Sequence, residues 1–367
     1  MRLTALSGLG SKGPACFLLE TDGRRILLDC GKGPDDEAVP DLTDVGPVDA
    51  IVLSHAHPDH FGALDLSAQL GRPPIYTTAL TAEIAGAHRH GEIRPLPLCG
   101  AADILDVPVL TGRAGHAPGG IWIRFGGDDG LLYTGDFCHE GVLFPVDPFP
   151  TARLLVADAA YGVYEDRLET GIAALLDLAR KGPMLLPVPA AGRGLEIAVL
   201  LHEAGFPIGL CPAHTAMVQL LLAHPDGPSV PERDRLAKVL AAARPLDTDS
   251  KPEGVALAAS ANAESGLART LITAWAGRAE IVFTGHRARG TASADLVDRG
   301  AARFIRWNVH PLRSHLVGLL QAVRPEQAML AFLPEPALSA LTASLPGPAR
   351  FIPPEDDPRH RAVMRLG

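Results

Sequence analysis

The sequence predicts an α/β fold in two parts, and three observations predict it. Short apolar runs separated by turns open the chain over residues 3–6, 16–20 and 25–29, which reads as a β-meander. The apolar run Ala50-Ile51-Val52-Leu53 then leads into Ser54-His55-Ala56-His57-Pro58-Asp59-His60, so metal-type ligands sit on a loop at a strand end. From residue 166 onward, helical and strand-like stretches alternate, which implies βαβ units and a parallel sheet in a second domain.

Composition bounds the reading. A chain of 367 residues is long for one domain and comfortable for two. With 47% hydrophobic and 20% charged residues it has the profile of an ordinary globular protein, and with aromatics at 5% the core must be packed mainly by Leu, Ala and Val. The formal charge of −9 argues against non-specific coating of nucleic acid, which rests on neutralised phosphates. It leaves a nuclease open, because bound cations supply local positive charge. Cys16, Cys30, Cys99, Cys138 and Cys211 are scattered without a CxxC pair, so neither a disulfide framework nor a cysteine zinc site is indicated and a reducing cytoplasm fits. Residues 1–8 lack the apolar core of a signal peptide, and the uncharged run 204–225 carries Pro207, Gly209 and Pro212 and is not a membrane span.

Among the early elements the run 25–29 ends in Asp29 before Gly31, and taken alone this reads as an Asx turn. The cluster after Leu53 is different. A single histidine is usually a satisfied surface or core residue, and two at alternate positions arise by chance in a chain with 14. His55, His57, Asp59 and His60 within six residues serve no packing purpose, and clustering them costs desolvation unless a cation compensates. They read as a metal site, and imidazole with carboxylate suits zinc. Residues 78–88 read as a helix, 107–110 and 121–125 as strands, with His116 on the glycine-flanked loop between those two. The strand at 131–134 ends in Gly135-Asp136, where a carboxylate is able to bridge two cations. Another apolar strand, 154–157, ends in Asp158.

In the second part, helices at 166–181, 196–204, 233–244 and 265–276 alternate with strands at 184–188, 207–210, 255–259 and 280–284. Residues 245–253, rich in proline and acid, read as a mobile loop. Short elements return at 302–307, followed by His310, a helix at 313–323 and an apolar run at 328–333. The charged, proline-rich residues 353–367 read as a surface tail.

Asp29, the cluster from His55 to His60, His116 and Asp136 resemble the metallo-β-lactamase superfamily in order and setting. Asp158-Ala159-Ala160-Tyr161-Gly162, Pro189-Ala190-Ala191-Gly192-Arg193-Gly194-Leu195-Glu196, and Val282-Phe283-Thr284-Gly285-His286 with Gly290-Thr291 resemble its β-CASP nucleases, which include bacterial RNase J, the nuclease of mRNA 3'-end processing, and Artemis. The resemblance implies an αββα sandwich over residues 1–165 and 303–367, a β-CASP domain inserted over 166–302, and an active site in the cleft between them. It implies His55, His57 and His116 on a first metal, Asp59 and His60 on a second, Asp136 bridging, and Asp29 as an outer support. It further implies Asp59, Asp158 and His310 as catalytic residues, with His310 oriented by Asp158 to protonate the leaving oxygen. Arg193 is the foremost phosphate contact among Arg193, Arg287, Arg289, Arg303, Arg306 and Arg313, most of which read as a solvated face.

One motif departs. RNA-acting members carry a further histidine where this chain has Phe332-Leu333-Pro334-Glu335, and no histidine occurs from residue 316 to 359. DNA-acting members have valine there, so the aliphatic Leu333 speaks for DNA, whereas the stretch from Gly285 to Thr291 resembles the RNA-processing branch more closely. His139 and His360 are the remaining candidates for a substitute ligand, and for each a surface role fits better. The expectation is one tight zinc and a second, weaker ion, with manganese as an alternative. The expected activity is hydrolysis of RNA by a metal-activated water, with DNA, or a small ester, thioester or cyclic phosphodiester, as alternatives. A non-catalytic scaffold is opposed by the intact ligand set through Asp136 and by the pair Asp158 with His310. Single-stranded RNA or DNA is the expected partner, no membrane is involved, and a homodimer is compatible with the sequence.

Overall fold

The structure is a computed structural model that describes residues 1–355 and 361–366. The chain divides into two compact units: the first takes residues 1–139, 145–165 and 310–367, and the second residues 140–144 and 166–309.

The first unit contains two seven-stranded sheets among the described residues. One runs in the order Val363–Arg365, Arg2–Ser7, Cys16–Thr21, Arg24–Leu28, Ala50–Val52, Ile75–Thr77, Ile93–Pro95; its opening strands pair antiparallel as a meander. The other runs Arg350–Phe351, Gln327–Ala331, Leu154–Asp158, Leu131–Tyr133, Ile121–Phe125, Val107–Arg113, Gly100–Ile104.

Side-chain alternation stacks these sheets into layers. Along Cys16–Thr21, Phe17 and Leu19 join a core that also takes Ile121, Ile123, Leu131 and Val156 from the other sheet. Cys16 and Leu18 turn to the opposite face, onto Leu64, Leu70 and Ala82 from helical segments. In the second sheet, Leu154 and Val156 face the shared core, while Leu155 and Ala157 pack on Leu316, Leu320 and Leu341 of the helices Arg313–Val323 and Glu335–Ser344. The period of two residues therefore gives helix, sheet, sheet, helix, an αββα sandwich. Each fully buried side chain of the size of Phe17 contributes about 2 kcal/mol.

The end of the chain corrects an expectation. Val363–Arg365 is a strand against Arg2–Thr4, with Met364 fully buried and Ala362 nearly so, and not a surface tail. Two apolar residues spaced by two suffice to fill the open edge of the sheet.

The second unit holds a six-stranded, all-parallel sheet in the order Arg244–Pro245, Ile208–Leu210, Val255–Ala258, Met184–Pro187, Glu280–Phe283, Arg303–Phe304. Met184–Pro187, Ile208–Leu210 and Val255–Ala258 are fully buried runs, as parallel strands covered on both faces must be. The amphipathic helix Gly266–Trp275 sends Ala268, Leu271 and Trp275 into the core with Leu185, Ala256 and Phe283. Within residues 245–253, Leu246 is buried, and the Trp275 indole donates to the Ser250 carbonyl at 2.8 Å. Among the described residues, no helix is long and apolar enough to cross a membrane.

Candidate metal centre

The cluster is built by backbone before side chains matter. Leu53 still bonds to Tyr76, and then Pro58 opens the short helix Pro58–Phe61 with His57 at its N-cap, which lifts Asp59 and His60 off the sheet. The loop is stitched to its neighbour by Ala15 N–H to Asp59 O at 2.9 Å, Cys30 N–H to His60 O at 2.8 Å and Lys32 N–H to Pro58 O at 2.9 Å. Gly31 permits this approach, since a Cβ there would stand 1.6 Å from Asp59 O. On the far side, Thr78 and Thr81 hydroxyls donate to Gly119 O at 2.8 and 3.0 Å and fix the His116 loop. Gly135, at φ 53°, turns the strand end so that Asp136 enters the cluster; a Cβ on it would lie 2.6 Å from Ser54.

Three ligand groups result, in each of which one candidate atom per residue lies within 4.8 Å of the others: His55, His57, His116 and Asp136; Asp59, His60 and Asp136; and Asp136, Asp158 and His310. Asp136 is common to all three. Its carboxylate lies 3.9 Å from His55 Nε2, 3.5 Å from His116 Nε2 and 3.1 Å from His60 Nε2, while His116 Nε2 is 2.8 Å from His57 Nδ1. His55 Nε2 is buried without a hydrogen-bond partner, an arrangement that costs free energy unless a cation takes its lone pair. The residues therefore fit a divalent metal site, with imidazole and carboxylate donors converging at ligand spacing.

The charge states of His55 and Asp136 agree with that role, and His60 holds a proton that an ion at its Nε2 would have to displace. Burial, then the neighbouring imidazoles of His60 and His57, hold His55 well below the ordinary histidine range, so it is neutral and free to ligate. Burial opposes charge on Asp136, but His60 and His310 outweigh it and keep the carboxyl well below its usual range. Burial likewise opposes charge on His60, and Asp136 and Asp29 outweigh it, pushing His60 well up.

Asp29, at φ 57°, accepts from Ser54 N and Ser54 Oγ at 2.7 Å each, lies 2.7 Å from His60 Nδ1 and accepts from Tyr133 OH at 2.5 Å. It thereby fixes the His60 ring and leaves Nε2 facing Asp136. Sequence reasoning missed Ser54 and Tyr133. Their signal was a hydroxyl beside the histidine cluster and another in the strand that leads to Asp136.

Asp158, fully buried, lies 2.8 Å from His310 Nδ1, and His310 Nδ1 is 3.6 Å from Asp136. Burial raises the Asp158 carboxyl, opposed by His310 and aided by Asp136. The stretch from Phe332 divides: the Phe332 ring stands 5.1 Å from the His60 ring, whereas Leu333 packs with Ala157, Ala159 and Leu338. His139 is exposed and turns to Phe137, Phe149 and His315. His360 lies outside the described residues. Arg193 belongs to the second unit, where its Nε donates to Thr284 at 3.3 Å and its guanidinium fills the space a Cβ on Gly285 would take. Arg287 and Arg303 pair with Asp298 and Glu280, and Arg306 lies over Phe304, as a solvated face requires.

Comparison with known proteins agrees with the fold. Residues 10–188 match the family described as the metallo-beta-lactamase superfamily. The chain is 32% identical over 251 residues to transcription termination factor FttA of Methanothermobacter thermautotrophicus, covering 55% of this chain and 39% of that protein. It is 27% identical over 248 residues to a ribonuclease of Thermus thermophilus, 58% of each chain, and 29% identical over 223 residues to an RNase J-like protein of Methanocaldococcus jannaschii, 52% of each. The chain thus spans about two fifths to three fifths of the length of these relatives. A crystal structure of a protein of unknown function from Enterococcus faecalis has the same fold, with a TM-score of 0.64, 16% identity and 99% coverage of both chains.

Proposed function

We propose, from the match of residues 10–188 to the metallo-beta-lactamase superfamily, that the chain is a metal-dependent phosphodiester hydrolase that cleaves RNA. One observation carries the reading: the His55, His57, His116 and Asp136 group and the Asp59, His60 and Asp136 group meet the Asp158–His310 pair at one shared carboxylate. Relatives named ribonuclease and RNase J-like support RNA as the substrate. The parallel-sheet unit, residues 166–302 on the sequence reading, is then the β-CASP insertion, and Arg193 its first phosphate contact. Free thiols throughout suit a cytoplasmic setting.

His55, His57 and His116 would hold the first ion and Asp59 and His60 the second, with Asp136 within reach of both groups. Bound cations supply Lewis acidity and lower the pKa of water, so no protein nucleophile is needed. Zinc suits the donors of the first group, and manganese is the alternative. The first group has four donors and the second three, one of them shared, which supports one tight ion and one weaker. The protein's own contribution is orientation and proton supply. Asp158 engages His310 Nδ1, which leaves Nε2 to give its proton to the departing oxygen. Asp29 orients the His60 ring through Nδ1, so that Nε2 would be the atom offered to an ion.

The test incubates labelled single-stranded RNA and DNA with wild type, His57→Ala and His310→Ala under Zn²⁺ and Mn²⁺. Wild type is expected to cleave RNA, His57→Ala to lose cleavage with its metal, and His310→Ala to keep its metal yet slow by about 10²-fold or more. Turnover of a small ester or phosphodiester without cleavage of either polymer overturns the reading.

A further inference from the structure

We propose that Ser54 is a positioning residue for the first ion: its hydroxyl holds His55 in the tautomer that keeps the Nε2 lone pair bare. The proposal rests on the assignment of His55 to that ion and on no choice of substrate. Ser54 follows the buried run that ends at Leu53, and its backbone is tied on both sides. Its N–H donates to Asp29 Oδ1 at 2.7 Å, and its carbonyl accepts Ile121 N–H at 3.0 Å. Gly135 packs so closely on it that a Cβ there would stand 2.6 Å from Ser54 Cβ. The hydroxyl, held in this way, lies 2.7 Å from Asp29 Oδ2, 3.0 Å from His55 Nδ1 and 3.4 Å from His60 Nδ1, and all four residues are buried.

Three neighbours share one hydroxyl proton. A carboxylate only accepts, so the short contact to Asp29 Oδ2 is the one to which Ser54 donates. His60 Nδ1 faces the same Asp29 oxygen directly at 2.7 Å, a shorter approach than its 3.4 Å to Ser54. With its proton committed to Asp29, Ser54 Oγ has lone pairs to offer, and His55 Nδ1 at 3.0 Å is placed to donate to them.

The far side of the His55 ring leads to the same tautomer. A neutral imidazole carries one proton, on one nitrogen or the other. On Nε2 that proton would meet no acceptor: the atom is buried without a hydrogen-bond partner, and the Asp136 carboxylate at 3.9 Å is beyond hydrogen-bond reach. On Nδ1 it meets Ser54 Oγ. A buried donor left unpaired is costly, so the proton belongs on Nδ1 and Nε2 is left to face the other donors of its group.

The two ligand groups thus have different supports. Asp29 touches His60 of the second group directly, and Ser54 touches His55 of the first. Tyr133 provides the control, since its hydroxyl also donates to Asp29 Oδ2. Ser54→Ala and Tyr133→Phe each take one hydroxyl donor from that carboxylate, and the Ser54 change also removes the contact to His55 Nδ1.

The experiment has two readouts at neutral pH. Proton–nitrogen correlation NMR of metal-free protein with labelled histidine, His55 being assigned through His55→Gln, should place the His55 proton on Nδ1 in wild type and Tyr133→Phe and show a changed tautomer mixture in Ser54→Ala. Competition titration of Zn²⁺ against a chromophoric chelator should show the tighter ion weakened by about 10- to 100-fold in Ser54→Ala and unchanged in Tyr133→Phe. Ser54→Thr, which keeps the hydroxyl, should retain the wild-type tautomer and affinity. A proton on Nε2 in the wild type overturns the assignment, and this measurement decides it even where Ser54→Ala fails to fold. Equal weakening of the tighter ion in Ser54→Ala and Tyr133→Phe overturns it in favour of both hydroxyls acting through Asp29, and wild-type affinity in Ser54→Ala overturns it outright. A wild type that binds no Zn²⁺ instead overturns the metal-centre assignment, and the role of Ser54 with it.

Discussion

At Asp29 three hydrogen-bond donors, Ser54 N, Ser54 Oγ and Tyr133 OH, and the His60 imidazole meet one buried carboxylate. Only His60 among the candidate ligands is tied to it in this way, so its influence is uneven across the two ligand groups. Asp29→Asn keeps the volume but replaces one acceptor oxygen by an amide donor, which opposes the donors already facing it. Support of this kind is typically worth about 10- to 100-fold in metal affinity. The expected outcome is a second ion weakened by that factor while the first is retained, read by competition titration and elemental analysis of the purified variant. Equal loss of both ions would show that Asp29 acts on the loop as a whole and not through His60. In sequence the same residue read as an Asx turn, because its partners lie 25, 31 and 104 positions away and no local pattern announces them.

The helix Arg193–Glu203 shows how an element anchors distant chain. Glu196 in its first turn is buried, and its carboxylate accepts Val142 N–H at 2.7 Å, Leu143 N–H at 3.0 Å and the Trp307 indole at 3.0 Å. Burial raises its pKa, and these donors hold the rise back. Glu196→Ala removes the shared acceptor of three N–H groups, two of them on buried residues, at about 1 kcal/mol each. Denaturant unfolding should show a loss of about 3 kcal/mol in the second unit, and the Trp307 environment should change in fluorescence; a loss under 1 kcal/mol would mean that water satisfies the donors. Most strands and helices were legible because period-two and period-3.6 apolar patterns survive in a Leu- and Ala-rich chain. Legibility failed where pairing is remote. Met364 reads as tail until its partner strand at residue 3 is known. The resemblance aligns Leu333 with the further histidine of RNA-acting members, and in the structure Phe332, at φ 66°, is the residue beside His60, because the strand leaves its alternation just after Ala331.

Across the whole molecule the two units respond to different chemistry. Every residue of the three ligand groups lies in the first unit. Ions bind the native arrangement and not the unfolded chain, so a free concentration 100 times the dissociation constant stabilises that unit by about 2.7 kcal/mol. The second unit carries His214, fully buried with Nδ1 at 3.0 Å from Cys211 Sγ, and burial lowers its pKa from 6.5 to about 4. A depressed histidine binds its proton first in the unfolded chain. Its contribution to stability is therefore whole above pH 6.5 and is lost as pH falls toward 4, at most about 3 kcal/mol. Amide exchange followed by peptide, corrected for intrinsic rates, separates the two effects. Chelation at pH 7.5 should lower protection in Ile121–Phe125 and Leu131–Tyr133 and leave Met184–Pro187 and Val255–Ala258 unchanged. Acidification of the metal-free protein from pH 6.5 to 4.5 should lower protection in Met184–Pro187 and Val255–Ala258, and His214→Gln should flatten that dependence. Loss of protection in all four strands on chelation would refute the separation and make metal binding a condition for folding of the entire chain.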